Sequence, residues 1–198
     1  MNLSSTLNSE IIRIFATILL PGAFTVIAIF VIVASFQFDS SVKLTTWATT
    51  TGKIIGEHST LTTVFFFIFT VGGGLIAETF GARFEYHICD WRGRANCSEF
   101  SSNWNKYLTL KFENDPIGQK YLRYLHLHLK FELNFGCAIL LLAFGIATLD
   151  CRYTDVSFGW PLYAVMCASA FFLLWEAIST SINLNNVLKQ LVNTYHQA

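Results

Sequence analysis

TVFFFIFTVGGGLIA, residues 63–77, decides how this chain is to be read. It carries no charge, and with its flanks it forms an apolar run from about 61 to 82. A helix needs about 20 apolar residues to cross about 30 Å of hydrocarbon, and this run is long enough. Similar runs occupy roughly 14–35, 133–150 and 159–182. The third suffices only if Leu133 and its neighbours lie at the interface. The first begins with IIRIF and sits too deep for a cleaved signal peptide, with no AxA-like site, so it is expected to remain as a span. The expected fold is all-α: a polytopic membrane four-helix bundle with a small helical cytoplasmic insertion between spans two and three.

Composition agrees. Charged residues make up 13% of the 198 and the mean hydropathy is +0.47, against about 25% charged in soluble domains. Thirteen Lys and Arg balance thirteen Asp and Glu, which removes the basic bias of a dedicated nucleic-acid binder and makes nucleic acid an unlikely partner. The connection 83–132 holds Arg83, Arg92, Arg94, Lys106, Lys111, Lys120, Arg123 and Lys130, whereas the opposite loops hold only Lys43, Lys53 and Arg152. The positive-inside rule then places that connection, and both termini, in the cytoplasm, with the chain integral to a membrane. The chain divides into 1–82 (N-terminal segment, spans one and two), 83–132 (cytoplasmic module and stalk) and 133–198 (spans three and four, tail). No cysteine pair within one chain invites a disulfide; a Cys151 to Cys151 bridge between subunits stays open.

Within the spans, Pro21 and Gly22 predict a kink, since proline removes a backbone donor; simple bending and a gating hinge are both compatible. Gly72, Gly73 and Gly74 predict either a packing seam, where small residues let helices approach, or a flexible hinge. Residues 36–60 are too polar to cross, and KLTTWAT suits a short surface helix. In the module, the segments RGRAN and NDPIG read as turns around a helix at about 98–112, with a second helix starting near Pro116. From 125 to 135, Leu and Phe alternate with His126, His128, Lys130, Glu132 and Asn134. Period two suggests strand, but leucine favours helix and no Gly or Pro intervenes, so a continuous helical stalk is favoured.

Ionisable groups within a membrane are costly and face a partner or a water-filled cavity. Glu78 and Glu176 are the carboxylates inside apolar runs, and Arg13, Arg83, Lys130 and Glu132 fall near the same level. A polar ring follows, with Glu78 paired to Arg83 or Lys130 and Glu176 to Arg13, with the carboxylates lining an ion path, or with the ring serving as a partner-docking surface. Trp91, Arg92 and Arg94 suit an interfacial anchor or partner contact. His87, Cys89, Cys97, His126 and His128 have poor zinc spacing, so no metal or other cofactor is expected. HExxH, Walker A and GxSxG are absent, which argues against an enzyme.

The segments GLIAETFGARFE and YLRYL…KFELN look like family signatures without a function attached. The organisation resembles the small four-span membrane subunits of bacterial anti-phage defence systems of the Kiwa type, a resemblance of architecture over most of the chain with no diagnostic motif. It implies a non-enzymatic, homo-oligomeric inner-membrane sensor or effector subunit coupling a soluble cytoplasmic partner or signal to the bilayer. An ion channel or pore-forming effector with a Glu78/Glu176 ring is the alternative; a small transporter or membrane enzyme is the third.

Overall fold

A computed structural model describes residues 15–37, 44–91, 94–109, 117–152 and 159–196. After a π-turn at Phe15–Leu19 come six helices: α1 (Leu20–Gln37), α2 (Leu44–Glu57), α3 (Ser59–Trp91), α4 (Arg94–Thr109), α5 (Ile117–Arg152) and α6 (Trp160–His196). No strand occurs among the described residues. Four helices are long and apolar enough to cross a membrane, through Thr17–Phe36, Ser59–His87, Gly118–Arg152 and Trp160–Thr194. The all-helical class and the number of spanning-length helices agree with the sequence reading.

The ambiguous 125–135 stretch is helix, continuous with the third span. Leu125, Leu129 and Leu133 are buried, one face at helical spacing, while Leu127 and Phe131 between them are only half-buried. The apparent alternation thus comes from two adjoining helical faces. Two local expectations move. The helix expected at 98–112 already begins at Arg94, so Arg94, Ala95 and Asn96 of RGRAN are helical, while its Arg92 and Gly93 lie outside the described residues; nothing in Arg94–Cys97 breaks a helix. Pro116 and the greater part of NDPIG lie outside the described residues, but Ile117 and Gly118 already belong to α5.

α5 is the organising element. One face receives α1 and α3 and another receives α6. Contacts at Gly118–Leu191, Gly136–Leu174 and Asp150–Tyr163 show α5 and α6 running antiparallel. Contacts at Thr17–Asn134 and Ser35–Thr148 show α1 and α5 running parallel. α5 contains 36 residues, about 54 Å at 1.5 Å per residue, so the hairpin extends well beyond any hydrocarbon layer. Its far end carries α4, whose Phe100, Trp104 and Tyr107 join the cluster of Leu122, Leu125, Leu129, Leu184, Leu188 and Leu191. Trp104 also lies beside His126 at 6.0 Å, and Lys189 pairs with Glu99 at 2.8 Å.

Of the three consecutive glycines of α3, Gly73 and Gly74 lie against the first span. A Cβ on Gly73 would stand 2.7 Å from the Gly22 carbonyl oxygen, and one on Gly22 or Gly74 would run into the Thr70 or Ile18 carbonyl. Gly72 has nothing within 4 Å. Pro21 is buried beside this crossing, two residues past the end of the π-turn. Proline has no N–H for the carbonyl four residues back, and that carbonyl, of Thr17, accepts a hydrogen bond from Asn134 Nδ2 at 3.2 Å. The break in the first span is therefore used to dock α5.

Candidate functional site: polar groups along α5

The α5/α6 seam has the three-and-four spacing that lets two helices interlock side chains. On α5 the inward positions are Gly118, Leu122, Leu125, Leu129, Glu132 and Gly136; on α6 they are Leu174, Ala177, Ser181, Leu184, Leu188 and Leu191. One of them is a carboxylate. Glu132 is 2% exposed, as deep as the leucines around it.

A buried carboxylate costs several kcal/mol unless it is well paired, and Glu132 is poorly paired. His128, one turn earlier, places Nε2 3.1 Å from Glu132 Oε1, an ion pair only when the imidazole is protonated. The Thr180 hydroxyl and the Glu176 carboxylate of α6 lie alongside. Neither oxygen of Glu132 receives a well-aligned hydrogen bond, the Thr180 hydroxyl included, and the same holds for Asn185 Oδ1 farther along α6. The half-buried Glu176 is a second negative charge facing the first. Such a site can take up a proton, a cation or water.

Glu78 and Lys130 meet at 2.8 Å, joining α3 to α5. This is one of the two pairings the sequence allowed for Glu78. Both side chains are more than a third exposed, so the contact contributes about 1 kcal/mol or less. Residues two apart on a helix do not face each other, and so Lys130 and Glu132 serve different sides of α5. The sequence-derived polar residues accordingly fall into two clusters, Glu78 with Lys130 and Glu132 with Glu176. Arg83 joins neither and is exposed on α3.

Arg13 and Arg92 lie outside the described residues, and Trp91 and Arg94 are placed only as the last residue of α3 and the first of α4. Among the described residues no group of three or more His, Cys, Asp or Glu is arranged to hold a metal.

Sequence reading missed two features. The seam was visible in the spacing of Leu122, Leu125 and Leu129 against Leu184, Leu188 and Leu191, and it would have singled out Glu132 as the polar exception. At the opposite end of the spans, Tyr163 donates to Asp150 Oδ2 at 2.8 Å, and Arg152 donates to the Ser35 carbonyl at 3.0 Å and lies over the Phe36 ring. No local motif announces that latch, because its partners are far apart in sequence. Comparisons with family models, with curated proteins and with solved structures gave no match.

Proposed function

We propose that the chain is a non-enzymatic, homo-oligomeric subunit of the bacterial inner membrane that passes a cytoplasmic event to the bilayer along the α5/α6 hairpin. The observation that carries this reading is the hairpin's continuity. Two unbroken helices share one seam from the α4 end, packed by Trp104 and Tyr107, into the apolar spans, and the poorly paired Glu132 sits where one regime gives way to the other. A soluble partner or signal acting at α4 changes how the hairpin packs, and Glu132 sets the balance between two packings because its charge is costly in one and solvated in the other. The α4 end is the cytoplasmic one by the distribution of Lys and Arg.

The decisive experiment is the native mass of the complex purified from membranes, with co-purifying proteins identified in the same sample. A multimer retaining a soluble partner through α4, and losing it on Trp104→Ala, supports the proposal. A lone monomer with no partner overturns it.

A second reading, an ion-conducting effector, is favoured by one observation: the half-buried Glu176 lies alongside the buried Glu132, whose two oxygens lack well-aligned hydrogen bonds. In that case Glu132→Gln and Glu176→Gln alter conductance across planar bilayers while leaving assembly intact. Flat current traces from the assembled wild-type complex exclude it.

A further inference from the structure

We propose that Glu132, in the α5/α6 seam, is a proton-binding site that fills from water at the α4 end through His128. The inference rests on the coupling reading above and gives it a ligand: the two packings of the hairpin differ by one bound proton. Glu132 is 2% exposed, and neither of its oxygens has a well-aligned hydrogen bond. His128, one turn earlier, is 43% exposed. One of the two groups therefore meets solvent and the other does not. Only 3.1 Å separates His128 Nε2 from Glu132 Oε1, within hydrogen-bond reach.

The surroundings select a proton over other ligands. Across the seam, α6 sets the half-buried Glu176 and the Thr180 hydroxyl beside Glu132. The described part of the first span, residues 15–37, contains no ionisable side chain, and Glu78 and Glu85 of α3 face Lys130 on another side of α5. Among the described residues His128 is thus the one cation beside Glu132, and only when protonated. A second carboxylate alongside makes the charged form of Glu132 costlier still. One proton removes one of the two like charges and supplies an O–H that can donate to Thr180 or Glu176. Water would leave the charge in place. A metal ion needs more ligands than converge, since among the described residues no group of three His, Cys, Asp or Glu is placed to hold one.

The route follows from the imidazole. Tyr124 stacks on the His128 ring at 5.7 Å and 12°, which holds its plane, and Nδ1 has no partner among the described residues. A proton from water joins Nδ1, the proton on Nε2 passes to Glu132 Oε1, and the imidazole is left neutral with its hydrogen on Nδ1. Histidine suits this relay because it exchanges protons near neutral pH. The packed seam binds the proton and the solvated one releases it, so tight packing gains as pH falls and loses as pH rises.

The test is infrared spectroscopy of the full chain in phosphatidylcholine vesicles at about pH 7, where an ordinary glutamate is ionised. Wild type is expected to show the C=O stretch of a protonated carboxylic acid, on the high-frequency side because the carbonyl accepts no aligned hydrogen bond. Glu132→Gln should abolish the band, and Glu78→Gln should keep it. Should Glu132→Gln fail to assemble, Glu132→Asp retains the acid and must displace the band. After a jump from alkaline to neutral pH, His128→Gln should reach the wild-type amplitude more than about tenfold slower, the loss of a positioned proton carrier. No band in wild type, a band that survives Glu132→Gln or stays in place in Glu132→Asp, or unchanged kinetics in His128→Gln overturns the proposal. The native mass of the same sample keeps the two claims apart. A multimer with its partner but without the band removes the proton site and spares the coupling reading, whereas a lone monomer showing the band does the reverse.

Discussion

Asn134 and Pro21 test whether the irregular start of the first span is an accident or a joint. The Thr17 carbonyl loses its helical donor to Pro21 and regains one from Asn134, which is 3% exposed. Asn134→Leu should therefore destabilise the protein by about 1 kcal/mol, the net contribution of the buried hydrogen bond it removes. Pro21→Ala, which restores a backbone N–H, should recover part of that loss in the double variant although it gains little alone. Thermal unfolding in detergent across this cycle measures the coupling. Glu132 calls for the opposite sign. Replacing a poorly satisfied buried charge with an apolar residue of similar volume often stabilises, so Glu132→Leu is expected to raise stability by about 1–3 kcal/mol while abolishing any response of the complex. A fall in melting temperature would mean that the carboxylate is a structural tie. Pro21 was readable in the sequence as a break and Glu132 as a charge near a span. The donor to the Thr17 carbonyl was not, because Asn134 lies 117 residues away and no local pattern links positions that far apart.

Elements were more legible than contacts. Span length and apolar content follow directly from composition, so the four long helices were readable, and so was the helical character of 125–135 once leucine was weighed against its alternation. The glycine triplet shows where legibility ends. Three identical neighbours point in three directions around a helix at about 100° per residue, and only the packing partner decides which of them matter. That partner is Gly22 and Ile18 for Gly73 and Gly74, and nothing for Gly72. Gly73→Ala should cost about 1–3 kcal/mol, since its methyl meets backbone that cannot rotate away, whereas Gly72→Ala should be neutral or slightly stabilising because alanine is the better helix former. Melting curves of the two variants, side by side, check the assignment. Equal losses would show that the triplet acts through helix stiffness and not through the α1/α3 contact.

At the scale of the whole molecule, α6 packs along α5 and touches α4, but its outer face is left open. Phe171, Phe172 and Trp175 are each about two-thirds exposed or more, and Ala168, Phe172, Trp175 and Ser179 follow one another at spacings of four, three and four, the repeat of a helix that meets another helix. Lipid tails can cover such a face, and a second copy of α6 can too. The proposed homo-oligomer selects the latter. A two-fold axis along the membrane normal would bring each residue of this stripe near its own counterpart. A single cysteine introduced at Ala168 or Ser179, with the five native cysteines replaced by serine, is then expected to form a disulfide-linked dimer in native membranes, and one at Ser169, exposed but off the stripe, is not. Dimer yields that rise at 168 and 179 and stay at background at 169 place α6 at the centre of the assembly, with both hairpins ending in α4 on the same side. Equal yields at all three positions indicate random collision in the bilayer, and the open face of α6 is then a lipid surface.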